Sequence, residues 1–197
     1  MFEFQLVIEL SPFTFDDDAG PIPSDKQASY AYWKRSLATY GMDTIEPISP
    51  GSWWVPADSL THEYWRTIIH HTHEEGEYED ARDLIFPLLG GVVIKHEGDV
   101  LIEPQCCSDW SDLDDWEAVL THPQNQWKKL WIGHPWVYYK RAEGQVYFSD
   151  YIESVEESES YIPQFALPEN VLREGLKEIR QKERRIMHKL SREFPHK

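Results

Sequence analysis

Between Gly90 and Tyr151 short runs of β-branched and aromatic residues are cut at close intervals by Gly, Pro and charged pairs. Most of these runs are joined by short turns, which predicts antiparallel hairpins and a meander. Val92–Ile94 and Val100–Ile102 flank Lys95-His96-Glu97-Gly98-Asp99, which predicts a hairpin with a loop of about three to five residues. Pro104 has no N–H to donate and ends the second strand. Trp127–Ile132, Trp136–Arg141 and Gln145–Tyr151 predict three further strands, with turns at Gly133-His134-Pro135 and Ala142-Glu143-Gly144. Apolar residues on both parities of Trp136-Val137-Tyr138-Tyr139 predict a strand covered on both faces.

One helix interrupts these strands. Ser111 with Asp114 three residues on is a capping-box start, and Asp112, Asp114, Asp115 and Glu117 sit where the positive end of a helix favours them. Leu113, Trp116, Val119 and Leu120 recur at helical spacing as its buried face, and His122-Pro123 closes it. The region reads as a sheet of about four to five strands with an inserted helix.

Elsewhere the periodicities are as informative. Phe2, Phe4, Leu6, Ile8 and Leu10 alternate with Glu3, Gln5, Val7 and Glu9, which predicts a half-buried first strand over residues 1–10. Acids interrupt that segment and no basic region precedes it, so it does not read as a signal peptide. Residues 24–89 read as helical. One helix runs from Ser24, capped with Gln27, to about Tyr40 before Gly41; a second covers Leu60–Ile69; a third covers Glu77–Leu89. Asp43–Ser59, rich in Pro and Gly, reads as irregular, and Gly90-Gly91 as a tight turn. Ile152–Ser160 is an acidic connector, and from Pro168 a long amphipathic helix carries the stripe Leu172, Leu176, Ile179, Ile186, Met187, Leu190 and Phe194. Such a helix packs on its own domain. The fold class is therefore α+β: a single domain over 1–197, an antiparallel sheet of about four to six strands, helices on one side, and a long C-terminal helix over 168–194.

The charge bears on function. Residues 168–197 hold nine Lys/Arg against five Asp/Glu, whereas the first 167 residues hold ten against thirty. An acidic body repels nucleic acid and anionic membrane and steers basic partners toward itself. No run of about 18 apolar residues is present, and two adjacent cysteines make no disulfide framework, so the expected setting is the reducing cytoplasm. The leading expectation is a cytosolic binding protein for a basic protein partner, with Asp109, Trp110, Asp112, Asp114 and Asp115 as contact residues. Charge density, an aromatic anchor and expected exposure mark these positions out.

An enzymatic alternative uses His70, His71 and His73, ligand types for zinc, or Cys106 and Cys107 as thiols with His96, His122 or His134 as base. The histidine spacing matches no HExxH site, and Asp16-Asp17-Asp18 lacks the alternation of an EF-hand loop. No cofactor or metal is expected. Cys106-Cys107-Ser108-Asp109-Trp110 and Gly133-His134-Pro135-Trp136 resemble segments of uncharacterised bacterial domains, while the helices, antiparallel sheet and acidic, Trp-rich composition resemble the small immunity proteins of bacterial toxin systems, SUKH-type domains included, over Leu60–Tyr151. That resemblance implies a basic nuclease toxin as the partner; no residue role is carried over from it.

Overall fold

The computed structural model describes residues 1–15, 20–72, 82–85, 88–153 and 160–194. The chain is α+β. Its described residues form two antiparallel four-stranded sheets and four α-helices, the last of them 25 residues long. The strands are β1 (Phe2–Glu9), β2 (Trp54–Pro56), β3 (Gly90–His96), β4 (Asp99–Ile102), β5 (Trp127–Leu130), β6 (Val137–Ala142), β7 (Gln145–Ser149) and β8 (Pro163–Pro168). The helices are α1 (Lys26–Thr39), α2 (His62–Thr72), α3 (Leu113–Val119) and α4 (Glu169–Glu193). Sheet order is β2-β1-β3-β4 in one sheet and β5-β6-β7-β8 in the other. The region 90–151 is thus not one sheet: its first hairpin pairs with the N-terminal strand, and only its later strands form the meander.

By internal packing the chain divides into two compact units, neither continuous in sequence. The first comprises Met1–Gln5 and Gly91–Arg184. Its meander obeys the alternation rule of a sheet with one face inward. Leu130, Val137, Tyr139, Val146, Phe148 and Leu167 lie on the inner face and are buried. Trp116 of α3 meets Phe148 at 6.1 Å between ring centroids, while Leu113 and Val119 are buried on the same helix. Leu172, Leu176 and Ile179 of α4 are buried as the stripe predicted. Phe4 lies over Gly175 of that helix, where a methyl group would come within 2.6 Å of ring carbon Cε2.

The outer face of the meander is covered by its own side chains. Tyr161 stacks on Tyr138 at 4.0 Å, Lys129 Nζ sits 4.5 Å from the Trp136 ring, and Lys140 Nζ sits 5.2 Å from that of Trp127. Tyr138 and Tyr139 are consequently both buried, as two-sided apolarity required.

Two turns differ from expectation. His96 pairs directly with Asp99, so the β3–β4 loop is only Glu97-Gly98, with φ of 53° and 92°. Ala142 pairs with Gln145 around Glu143-Gly144, with φ of 52° and 73°. Left-handed φ at both central residues is the type I′ pattern, whose twist matches that of the strands. Gly90 and Gly91 open β3 rather than forming a turn. At Gly91 (φ 151°) a Cβ would come within 3.0 Å of Pro104 and 3.1 Å of the Ser108 hydroxyl.

The second unit comprises Leu6–Gly90 and Arg185–Lys197. β2 pairs antiparallel with β1, Val7 against Pro56 and Glu9 against Trp54, inside the stretch expected to be irregular. The cap of α1 is Asp25 rather than Ser24, its carboxylate accepting from Ala28 N at 2.8 Å. Trp33 and Leu37 are buried on α1, and Trp33 Nε1 donates to the Leu10 carbonyl at 2.5 Å. α2 buries Trp65, Ile68 and Ile69. Of the expected third helix, residues 77–81 and 86–87 lie outside the described residues, as do Asp16-Asp17-Asp18; Arg82–Ile85 form a turn with Leu84 and Ile85 buried.

Candidate functional site

The two features that drew functional expectations, the cysteine pair and the acidic turn, occupy one continuous segment of the first unit. β4 ends at Ile102, and the chain then runs extended past Ile132–His134. Gln105 N donates to the Ile132 carbonyl at 2.6 Å, and His134 N donates to the Cys106 carbonyl at 3.0 Å. The approach is close because Gly133 (φ 88°) has no Cβ; one built there would overlap the carbonyls of Gln105 and Cys106. Ser108 N returns to the Gln105 carbonyl at 3.1 Å, which turns the chain at Cys106-Cys107. Both cysteines are exposed, Cys107 has φ of 71°, and the two Sγ atoms are 3.1 Å apart.

A 3₁₀ turn, Trp110–Asp112, follows and leads directly into α3. The capping box belongs to this turn, two residues earlier than the sequence suggested: it is Asp109 with Asp112, not Ser111 with Asp114. Ser111 N donates to Asp109 Oδ1 at 2.6 Å. Asp112 Oδ2 accepts from Asp109 N at 3.2 Å and from the Ser108 hydroxyl at 2.7 Å. Asp112 is 7% exposed, and burial pushes its carboxyl up to about 6 despite the Ser108 hydrogen bond, with the Asp109 charge adding to the rise.

These placements revise the expected contact surface. Trp110, at 2% exposed, is a core residue, and Asp112 is a buried cap, so the exposure expected of both is absent. Asp109 is half-buried and occupied with Ser111; Asp114 and Asp115 are exposed. The structure also brings in residues that the sequence reading did not select. Arg180 of α4 donates from Nε to Glu117 Oε1 at 2.8 Å, from Nη1 to Glu183 Oε2 at 3.1 Å, and from Nη2 to Asp114 Oδ1. Its side chain is 17% exposed; burial works against its charge, but the hydrogen bonds to the three carboxylates together outweigh that and raise its already high pKa further. Asp115 makes no ion pair among the described residues. The signal that could have found Arg180 is Glu183 three positions on, which breaks the apolar stripe of α4 to meet it.

The histidines of the second unit do not converge. His70 is exposed; His71 packs edge-on against Tyr40 at 4.8 Å and Phe15 at 5.6 Å; His73 lies outside the described residues. His62 Nε2 meets Glu193 Oε2 at 2.6 Å, beside an Arg66–Glu193 pair at 3.1 Å. Among the described residues no group of three or more His, Cys, Asp or Glu could hold a metal ion. His134 approaches Cys106 through its backbone, and its ring lies 5.0 Å from that of Trp136. Among the described residues no helix is long and apolar enough to cross a membrane.

Compared with protein-family models, curated proteins and solved structures, the chain matches none.

Proposed function

We propose that this chain is a non-enzymatic binding protein of the cytoplasm that presents acidic groups to a basic protein partner. One observation supports the reading above the others. The carboxylates of α3 already take hold of a guanidinium, that of Arg180, in the forked geometry by which Arg is recognised at interfaces. Asp115, next to Asp114 on the same helix, is exposed and outside that ion-pair set. A partner's Arg or Lys would be met there. Asp114 and Asp115 remain contact residues of this reading, Asp109 sits at its margin, and Trp110 and Asp112 support the turn from within. A basic toxin neutralised by an immunity protein is the specific form of the proposal; it draws on the resemblance of the acidic, Trp-rich composition and of the element arrangement to SUKH-type immunity proteins.

The test is affinity capture from the native host with the tagged full chain, at low and at moderate salt, followed by mass spectrometry. A single basic protein in stoichiometric amount, released as salt screens the interaction and lost with Asp115→Lys, is the expected result. Capture that is indifferent to both salt and Asp115→Lys would refute it. The alternative of a thiol-dependent enzyme rests on the exposed Cys106–Cys107 pair.

A further inference from the structure

The Cys106–Cys107 pair has three properties that seldom occur together. Both thiols are exposed, although cysteine is among the most buried residue types. Cys107 is held at φ 71°, a left-handed conformation that residues other than glycine seldom adopt. The backbone around them is fixed by the Gln105–Ile132 and His134–Cys106 hydrogen bonds over Gly133, so the sulfurs are presented from a braced turn rather than from a free loop.

The separation of the sulfurs discriminates among ligands. Consecutive Cα atoms stand about 3.8 Å apart across a trans peptide, below the about 4.4 Å at which disulfides ordinarily begin, so closing an S–S bond here is strained. A shared centre imposes a different geometry. With bonds to sulfur of about 2.3 Å, a linear centre needs sulfurs about 4.6 Å apart and a tetrahedral one about 3.8 Å apart. Sulfurs 3.1 Å apart subtend about 85° at such a centre. Near-right angles belong to pyramidal trivalent main-group centres, which bond through p orbitals. The chain has only two cysteines, so a centre demanding three thiolates is not satisfied.

We propose that Cys106 and Cys107 form a bidentate site for a monosubstituted trivalent arsenical, two sulfurs from the protein and one carbon substituent completing the pyramid. The reaction is a condensation without redox change. An arsenoxide, R–As=O, reacts with both thiols; two As–S bonds form, the As=O bond breaks, and the oxygen leaves as water with the two thiol protons. Once the first bond has formed the second is intramolecular, and effective concentration raises overall affinity about 100-fold or more over a single thiol.

Phenylarsine oxide is the probe, titrated into the reduced full chain and followed by native mass spectrometry and by counting thiols open to a disulfide reagent. Expected is one adduct per chain, loss of both titratable thiols, survival in excess monothiol, and release by a small dithiol. Cys106→Ser and Cys107→Ser alter exposed side chains, and circular dichroism establishes that each remains folded; each should weaken binding about 100-fold. Binding by either variant within about threefold of the parent would overturn the proposal, because chelation would then contribute nothing. Two adducts per chain, or tighter retention of zinc ion than of the arsenical, would overturn it equally.

Discussion

Asp112→Asn isolates the cost of burying one carboxylate. The folded pKa of about 6 lies above the ordinary 3.8. Below pH 3.8 the group is protonated whether the chain is folded or not, and it costs nothing. Between about 4 and 6 the unfolded chain releases a proton that the folded chain retains, so this group makes stability fall with rising pH. Above about 6 the loss is complete and amounts to about 3 kcal/mol, from some two pKa units at about 1.4 kcal/mol each. Both hydrogen bonds to Asp112 converge on Oδ2. A single amide oxygen can therefore accept from Ser108 and Asp109 alike, at the loss of charge-assisted strength of about 1 kcal/mol. The net expectation is that Asp112→Asn stabilises the chain by about 1–2 kcal/mol at pH 7.5 and is neutral or destabilising at pH 4. Urea unfolding of parent and variant at both pH values, with the slopes compared, measures this directly. A difference that does not depend on pH, or a variant that gains ground toward acid, would falsify the assignment of burial as the governing cause.

Three further outcomes follow from the packing. Gly175→Ala should destabilise by about 1–3 kcal/mol, although Ala is the better helix former by about 1, because its methyl group overlaps the Phe4 ring; Phe4→Leu combined with it should recover part of the loss in chemical denaturation. Arg141 donates to both oxygens of Glu169 at 3.0 and 2.8 Å and to the His122 carbonyl at 2.7 Å, with both side chains mostly buried, so Arg141→Leu should cost about 2–4 kcal/mol and the double variant with Glu169→Leu less than the sum. Trp116→Ala, removing a 1% exposed ring from beneath Phe148, should cost about 3–5 kcal/mol and lower the thermal midpoint.

What the sequence disclosed depended on whether a signal was local. The alternation from Phe2 to Leu10, the hairpin around Gly98 and the α4 stripe are each set within a few residues, and each formed. β2 and β8 were not legible because Pro56, Pro163 and Pro168 read as punctuation; both strands lie at a sheet edge, where a missing N–H leaves no central ladder broken. Caps were displaced by one or two positions at Asp25 and Asp109 because adjacent Ser and Asp are interchangeable acceptors at that resolution of reasoning. The site was legible only as charge density. Composition could not tell that Trp110 and Asp112 turn inward, nor that Arg180, 66 residues beyond Asp114, neutralises part of the cluster. Partner choice between strands, which divides the region 90–151 between two sheets, is likewise a long-range property.

The pairing of β1 has a consequence for biosynthesis. Met1 accepts from Glu97 and Glu9 donates to Leu89, so the first strand is hydrogen-bonded to residues made 80 to 96 positions later. At a ribosomal pace of about 5–20 residues per second the alternating segment waits roughly 5–20 s for that partner. Until β2 is made, with Val55 to pair with Ile8, the segment carrying Phe2, Phe4, Leu6 and Ile8 is unpaired, and until β3 follows one of its two edges stays open, the kind of template on which nascent chains associate. Glu3 and Glu9 place negative charge along it and would make two such edges repel one another. Ordering of this strand therefore marks a late step in assembly, and the acids within it act before the fold exists as well as after.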